Sequence, residues 1–234
     1  LLNYIKGGHK SKFLIRNAHK IILSSPFNKN YCIEKNKYQS ATYIPCSLNL
    51  KRFTMNTKDL LQPPILGWTG TFSSKPYLDT LKPIFYELKN HMDFKLVFIT
   101  NFEYELPDLD LEVIEWSEKS EIDDLHKIDI GLYPLTKTPW SLGKGGLKTI
   151  QYMAAGIPTI STDFGTVKDF IVHKKNGFLV NTPSEWINAI IEITSNDELR
   201  KKIILSARQT VEERYSVSAN KLKYLNILEN LIKS

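Results

Sequence analysis

The chain has 234 residues, 42% hydrophobic and 24% charged, a globular balance with material for one full domain and part of another. No apolar run approaches the ~18 residues that a membrane span needs, and no leader is visible. The first residue is Leu1 rather than methionine, so an N-terminal part is expected to be missing. The net charge of +6 favours anionic partners. Nucleic acid is disfavoured among these, because no arginine-rich tract or RNA-binding aromatic signature occurs. That leaves nucleotide-sugars or peripheral contact with the inner membrane surface. Cys32 and Cys46 have neither metal-type spacing nor a disulfide framework, which suggests a reduced, cytoplasmic setting.

In chain order, a basic group (Lys6, His9, Lys10, Lys12, Arg16, Lys20) surrounds a helix expected from Lys12 to His19. A short strand at 20–25 and a helical segment around 26–35 follow, and then Thr42-Tyr43-Ile44-Pro45. The polar stretch from 46 to 63 reads as a linker, closed by Pro63-Pro64. From residue 64 strands and helices alternate. Strands are expected at 65–70, 94–100, 111–116, 128–134, 157–162 and 177–180. Helices are expected at 73–90, 121–127, 166–172, 184–195, 197–214 and 216–233, with a short helix after the glycine loop that stops at Gly156. Ser74 and Ser120 are the expected N-caps of the first two, and Pro83 should kink the helix at 73–90. Strand–helix alternation with short connections means an α/β, doubly wound parallel sheet, with ligands beyond the carboxyl ends of its strands.

The most informative stretch runs from Gly143 to Pro158. Gly143-Lys144-Gly145-Gly146 leads into a helix carrying Leu147, Lys148 and Gln151, which stops at Gly156 before the strand Thr159-Ile160-Ser161-Thr162. Unpaired N–H groups at a helix start attract anions, and glycines let a phosphate approach the backbone. Lys144 and Lys148 add charge there, and Gln151 shares a helix face with Lys148. One reading is a nucleoside diphosphate site. The other is a surface turn with solvated lysines over a core-facing Leu147, Ile150 and Met153.

The block resembles the signature of the large retaining glycosyltransferase family with the GT-B fold (family 4, also called group 1), E-G-F-G-L-P-x-x-E-A-M-A-x-G-x-P-V-V-A-S. Gly146-Leu147, Met153-Ala154, Gly156, Pro158 and Ser161 fall in step, as do Gly165 and Asn176-Gly177-Phe178-Leu179-Val180. The family's two glutamates fall on Gly143 and Gln151, as in a subset that reads G-K-x-G-x-K-x-x-Q-Y-M-A-A-G-x-P. The resemblance implies a Rossmann-like donor-binding domain over 64–214. It also implies a remnant of the acceptor domain at 1–45, a linker at 46–63 and a helix at 215–234 that crosses back. Most of the acceptor domain would lie outside this chain.

The implied reaction is transfer of a hexosyl or related sugar from a nucleotide-diphosphate donor to a hydroxyl of a glycan, lipid or protein, as in cell-surface polysaccharide synthesis. Lys144 and Lys148, with the N–H groups of Gly146 and Leu147, would stabilise the leaving diphosphate, and Gly145 would bind substrate beside them. Gln151 would orient the ribose, the backbone at Gly70 and Thr71 would reach a phosphate, and Trp116 would either stack on the base or pack half-buried. Lys75 reads better as part of an ordinary turn. Asp163 either closes the strand before it or caps the helix after it. No cofactor or metal is expected, because convergent carboxylates or His/Cys clusters are lacking. Two rivals remain. One is a non-catalytic nucleotide-binding module, and the other is a nucleotide-sugar epimerase of the same architecture. An apolar stripe of Val217, Leu225, Leu228 and Ile232 on the last helix should be partly exposed if its docking surface is missing.

Overall fold

The computed structural model describes residues 8–56 and 58–233, so Lys6 and the outermost residues of the segments expected at 1–45 and 215–234 lie outside it. The N-terminal segment folds as α1 (Gly8–Asn17), β1 (Ile21–Leu23), α2 (Pro26–Lys35) and β2 (Ala41–Tyr43). β1 and β2 form a separate two-stranded parallel sheet. α2 starts where its sequence directs, with Pro26 in the first turn and the Ser25 side chain accepting from the Asn28 N–H.

The stretch at 46–63 is laid against the larger unit. Leu48 bridges to Ser216, Phe53 is buried, and the Arg208 guanidinium donates to the carbonyls of Phe53 and Ala154 at 2.7 and 2.6 Å.

The larger unit is a six-stranded parallel sheet in the order β5-β4-β3-β6-β7-β8. Its strands are β3 (Ile65–Gly70), β4 (Lys95–Thr100), β5 (Leu111–Glu115), β6 (Ile130–Tyr133), β7 (Thr159–Thr162) and β8 (Phe178–Val180). This is the doubly wound arrangement that strand–helix alternation implies. Helices cover both faces, so the central strands are apolar throughout rather than alternating. The period of two still sorts their side chains. Leu96 and Phe98 of β4 face a core with Leu66, Trp68 and Phe85, while Val97 and Ile99 face one with Ile150, Tyr152 and Met153.

The helix expected at 73–90 is broken into α3 (Lys75–Leu78), a 3-10 turn at Asp79–Leu81 and α4 (Lys82–Leu88). Pro83 is the cause. It has no N–H for the Asp79 carbonyl, which instead accepts from the Lys82 N–H three residues on. Ser74 does not cap this region. Its own backbone is already helical (φ −100, ψ −4), and the residue is buried.

Ser120 does not cap α5 (Glu121–Leu125) either. Its hydroxyl pairs with Ser117 Oγ at 2.7 Å, and Ser117 Oγ also takes the Ser120 N–H. The helix expected at 166–172 is a 3-10 turn at Gly165–Asp169 that starts from Phe164 without a side-chain cap. Asp163 faces Lys168 at 3.4 Å instead of capping that turn.

The remaining helices are α6 (Pro139–Leu142), α7 (Leu147–Ala154), α8 (Pro183–Ser195), α9 (Asp197–Arg214) and α10 (Val217–Ile232). On α10, Val217, Leu225, Leu228 and Ile232 are exposed. Among the described residues no helix is long and apolar enough to cross a membrane.

Candidate functional site

The sheet turns in opposite directions on either side of β3 and β6. From β3 the chain proceeds outward to β4 and β5, and from β6 to β7 and β8. A parallel sheet opens a crevice at such a point, outside the carboxyl ends of its strands. The β3–β6 register stops at Gly67↔Gly131, so the later N–H groups of β3 on that side lack a ladder partner. Tyr152 of α7 fills the gap, its phenol oxygen accepting the Thr69 N–H at 2.8 Å. This bond fixes α7 across the opening.

The glycine loop enters that crevice. Gly146 is the N-cap of α7 at φ 73, a left-handed conformation that a side chain strains, and an added Cβ would sit 2.8 Å from the Phe170 ring. At the other end Gly156 (φ 75) completes a Schellman motif. The Ile157 N–H bonds to the Tyr152 carbonyl and the Gly156 N–H to the Met153 carbonyl. The helix therefore spans eight residues, with Ile150, Tyr152, Met153 and Ala154 fully buried.

The first intrahelical bond runs from the Ile150 N–H to the Gly146 carbonyl, so the N–H groups of Leu147, Lys148 and Thr149 precede the ladder. The first turn of α7 has no acidic residue. Gly145 lies so close to the N-terminal segment that a Cβ there would meet Cys46 Sγ at 2.8 Å and Ser24 Oγ at 2.9 Å. Asn28 of α2 donates to the Gly143 carbonyl at 3.0 Å. The small sheet and the large one thus meet at this loop.

A cleft of about 220 Å³ lies above the loop, walled by Trp68, Tyr77, Tyr133, Leu135, Lys144 and Lys148. Lys144 Nζ sits 5.0 Å from the centre of the Tyr77 ring, and Lys148 Nζ sits 4.9 Å from that of Trp68. Burial, with a smaller push from Lys144, brings the Lys148 ammonium down to about 7. The reading of α7 as a surface turn with solvated lysines does not fit this placement. Nor is Leu147 core-facing, since it is exposed at the start of the helix.

The other expected residues divide into two groups. Gly70 reaches the cleft, and a Cβ on it would lie 2.7 Å from Lys148 Nζ. Thr71 is exposed, its hydroxyl 3.0 Å from Ser73 Oγ. Lys75 turns away to Asp79 at 3.4 Å, in keeping with an ordinary turn. Trp116 and Gln151 meet at a residue that sequence reasoning missed, Glu121, whose Oε1 accepts from Gln151 Nε2 at 3.1 Å and from Trp116 Nε1 at 3.4 Å. No local pattern marks Glu121, because only the packing of α5 against α7 brings it there. Tyr77 and Trp68 were legible only as apolar positions of a helix stripe and a strand. Among the described residues no group of three or more His, Cys, Asp or Glu is placed to hold a metal ion.

Residues 61–210 match the family described as glycosyl transferases group 1. An uncharacterized glycosyltransferase, MJ1178, of Methanocaldococcus jannaschii is 27% identical over 87% of this chain and 57% of its own length. The trehalose synthase of Pyrococcus horikoshii is 28% identical over 37% of the chain and 21% of its own length. The chain therefore spans little more than half of the first relative and about a fifth of the second.

A glycosyltransferase of Rickettsia africae superposes with a TM-score of 0.75 at 19% identity, covering 95% of this chain and 67% of that one. Sucrose-phosphate synthase of Thermosynechococcus elongatus gives 0.74 at 18% identity, covering 95% and 61%. HepE of Anabaena in complex with UDP and glucose gives 0.72 at 14% identity, covering 92% and 64%. The fold is that of the GT-B Rossmann-like domain.

Proposed function

The chain belongs to the glycosyl transferases group 1 family, and from that premise we propose that it is the donor-binding part of a retaining, family 4 glycosyltransferase. It takes a sugar from a nucleotide-diphosphate donor and transfers it to an acceptor hydroxyl. The observation that carries this reading is the pairing of Lys144 and Lys148 over Tyr77 and Trp68 at the open start of α7.

When the bond to the sugar breaks, charge develops on the leaving diphosphate. Fixed N–H dipoles and two cations in a sheltered cleft stabilise that charge more in the transition state than in the bound donor. The N–H groups of Gly145, Gly146 and Leu147 serve with the two lysines, and the backbone of Gly70 and Thr71 closes the phosphate side. The site calls on no metal, since the lysines supply the positive charge. That the Anabaena neighbour is recorded with UDP and glucose supports a nucleotide-sugar as the partner.

Ser24 and Asn28 of the N-terminal segment, with Cys46 just after it, pack against the glycine loop. Residues 1–45 build only a two-stranded sheet among the described residues. The acceptor surface then belongs to a segment before residue 1, residues 46–63 connect the two units, and α10 docks back on the first. The test is to incubate the chain, extended upstream by that segment, with labelled UDP- and GDP-hexoses and an extract of its own cells. Release of nucleoside diphosphate with transfer of label, at retained anomeric configuration, is expected. The chain as given should bind donor but turn over far more slowly, because the acceptor is not positioned. Equal turnover by both would overturn the two-domain account, and inversion of configuration would overturn the retaining mechanism.

A further inference from the structure

Gln151 carries no charge, yet one turn beyond Lys148 its amide is committed to a carboxylate. Glu121 Oε1 takes the Gln151 amide at 3.1 Å and the Trp116 indole N–H at 3.4 Å. Its other oxygen, Oε2, faces the Arg52 guanidinium at 3.8 Å, beyond hydrogen-bond reach. Arg52 is itself engaged by Glu118, to whose Oε1 it donates at 3.2 Å and whose carbonyl it meets at 3.4 Å.

The Glu121 side chain is only 17% exposed, against 77% for Glu118. This carboxylate is therefore sheltered, held from two sides through one oxygen, and left with lone pairs to spare on the other. Its three neighbours come from three places in the chain: the end of β5 (Trp116), the middle of α7 (Gln151) and the segment before β3 (Arg52).

We propose that Glu121, rather than Gln151, takes the ribose 2′- and 3′-hydroxyls of the nucleotide, and that Gln151 and Trp116 are positioning residues that hold its carboxylate for them. This rests on the donor-site reading given above. A vicinal diol presents two donors, and a carboxylate is an acceptor-only group able to receive both. The Gln151 amide presents donors on the side where Glu121 meets it, so it does not serve as the diol's acceptor there.

The order along α7 also fits. Lys144 and Lys148 mark the phosphates. Gln151 lies three residues beyond Lys148 on the same helix face, ~4.5 Å further along the axis. The ribose follows the α-phosphate through O5′ and C5′. Hydrogen bonds from the diol to a charged acceptor make this part of the site selective for ribonucleotides over their deoxy counterparts.

Calorimetry with UDP, GDP and their 2′-deoxy and 3′-deoxy counterparts tests this, on wild type, Glu121→Gln and Glu121→Asp, with melting curves confirming each fold. Wild type should prefer a ribonucleoside diphosphate by about tenfold or more, the scale of one charged hydrogen bond. Glu121→Gln should bring the ribonucleotide down to the level of the deoxy compound while leaving the latter unchanged. Glu121→Asp, which keeps the charge but draws it back, should fall between. Equal binding of ribo and deoxy forms by wild type, or an undiminished preference in Glu121→Gln, overturns the assignment. If neither UDP nor GDP binds at all, the donor-site reading fails, and this assignment falls with it.

Discussion

The starts of α7 and α9 carry similar residues and use them in opposite ways. At α9 the Asn196 side chain caps the Leu199 N–H, and Asp197 and Glu198 fill the first turn. Lys201 and Lys202 then pair with those acids one turn on, at 2.6 and 2.8 Å. Cations and helix dipole are both answered within the helix itself. At α7 the cap is a left-handed glycine, the first turn holds no acid, and the cations Lys144 and Lys148 lie over aromatic rings. The titratable group that acts on Lys148 is another lysine, Lys144. The pI near 9.1 counts all these lysines alike. Only their placement distinguishes a solvated ion-pair ladder from two cations gathered over aromatic rings.

The largest expected effect breaks the α7 side of that comparison outright. Gly146→Val forces a β-branched residue into φ 73 and against the Phe170 ring. Backbone strain of this kind costs about 1–3 kcal/mol before any clash. The melting temperature should drop by several degrees, and nucleotide binding should disappear. A variant as stable as wild type would mean that the loop does not need its left-handed cap.

Lys148→Ala comes next. Loss of a charged contact to phosphate should weaken nucleoside diphosphate binding by about 1.5–3 kcal/mol in calorimetry, while the fold is retained. The matched control is Lys202→Ala on α9, whose ion pair is exposed. It should leave both affinity and melting temperature unchanged. If the two substitutions act alike, the contrast between the helices is wrong.

The depressed ammonium of Lys148 sharpens the comparison further. Its folded value of about 7 lies below the ~10.4 of an unfolded chain, so between those values the unfolded state binds more protons and stability rises with pH. Below about 7 both states are protonated, and the fold bears the full cost of a sheltered charge. Lys148→Met should therefore be more stable than wild type near pH 6, by denaturant titration, with the gain shrinking as pH rises from about 7 toward 10. Diphosphate affinity of wild type should fall from about pH 7.5 to 9 as the ammonium loses its proton. A stability difference and a diphosphate affinity that both stay flat across this range would place Lys148 in an ordinary solvated setting.

Much of the fold was legible because the strands of a doubly wound sheet write themselves as short runs rich in apolar and β-branched residues, and the six strands fall within the stretches expected from them. Pro83 announced the break between α3 and α4, although its form as a 3-10 turn depended on where the Asp79 carbonyl found a donor. The caps were misjudged at Ser74 and Ser120. A serine near a helix start caps it only if its own backbone is extended, and both residues already have helical ψ.

In the site, Gly146, Gly156, Lys144 and Lys148 stood out because their spacing is local. Glu121, Tyr77 and Asn28 did not. Glu121 meets Gln151 across 30 residues and Asn28 meets Gly143 across 115, and no window of sequence contains either pair. Contacts between elements are set by packing, which periodicity alone does not encode.

The most direct measurement of the central claim is calorimetric titration of the chain with UDP and GDP beside UMP and GMP. If the start of α7 and its two lysines read the second phosphate, one of the diphosphates should bind at least about tenfold more tightly than its monophosphate, as expected for one charged hydrogen bond gained. In Lys148→Ala that advantage should largely vanish. Equal affinity for di- and monophosphates in the wild-type chain would contradict the account.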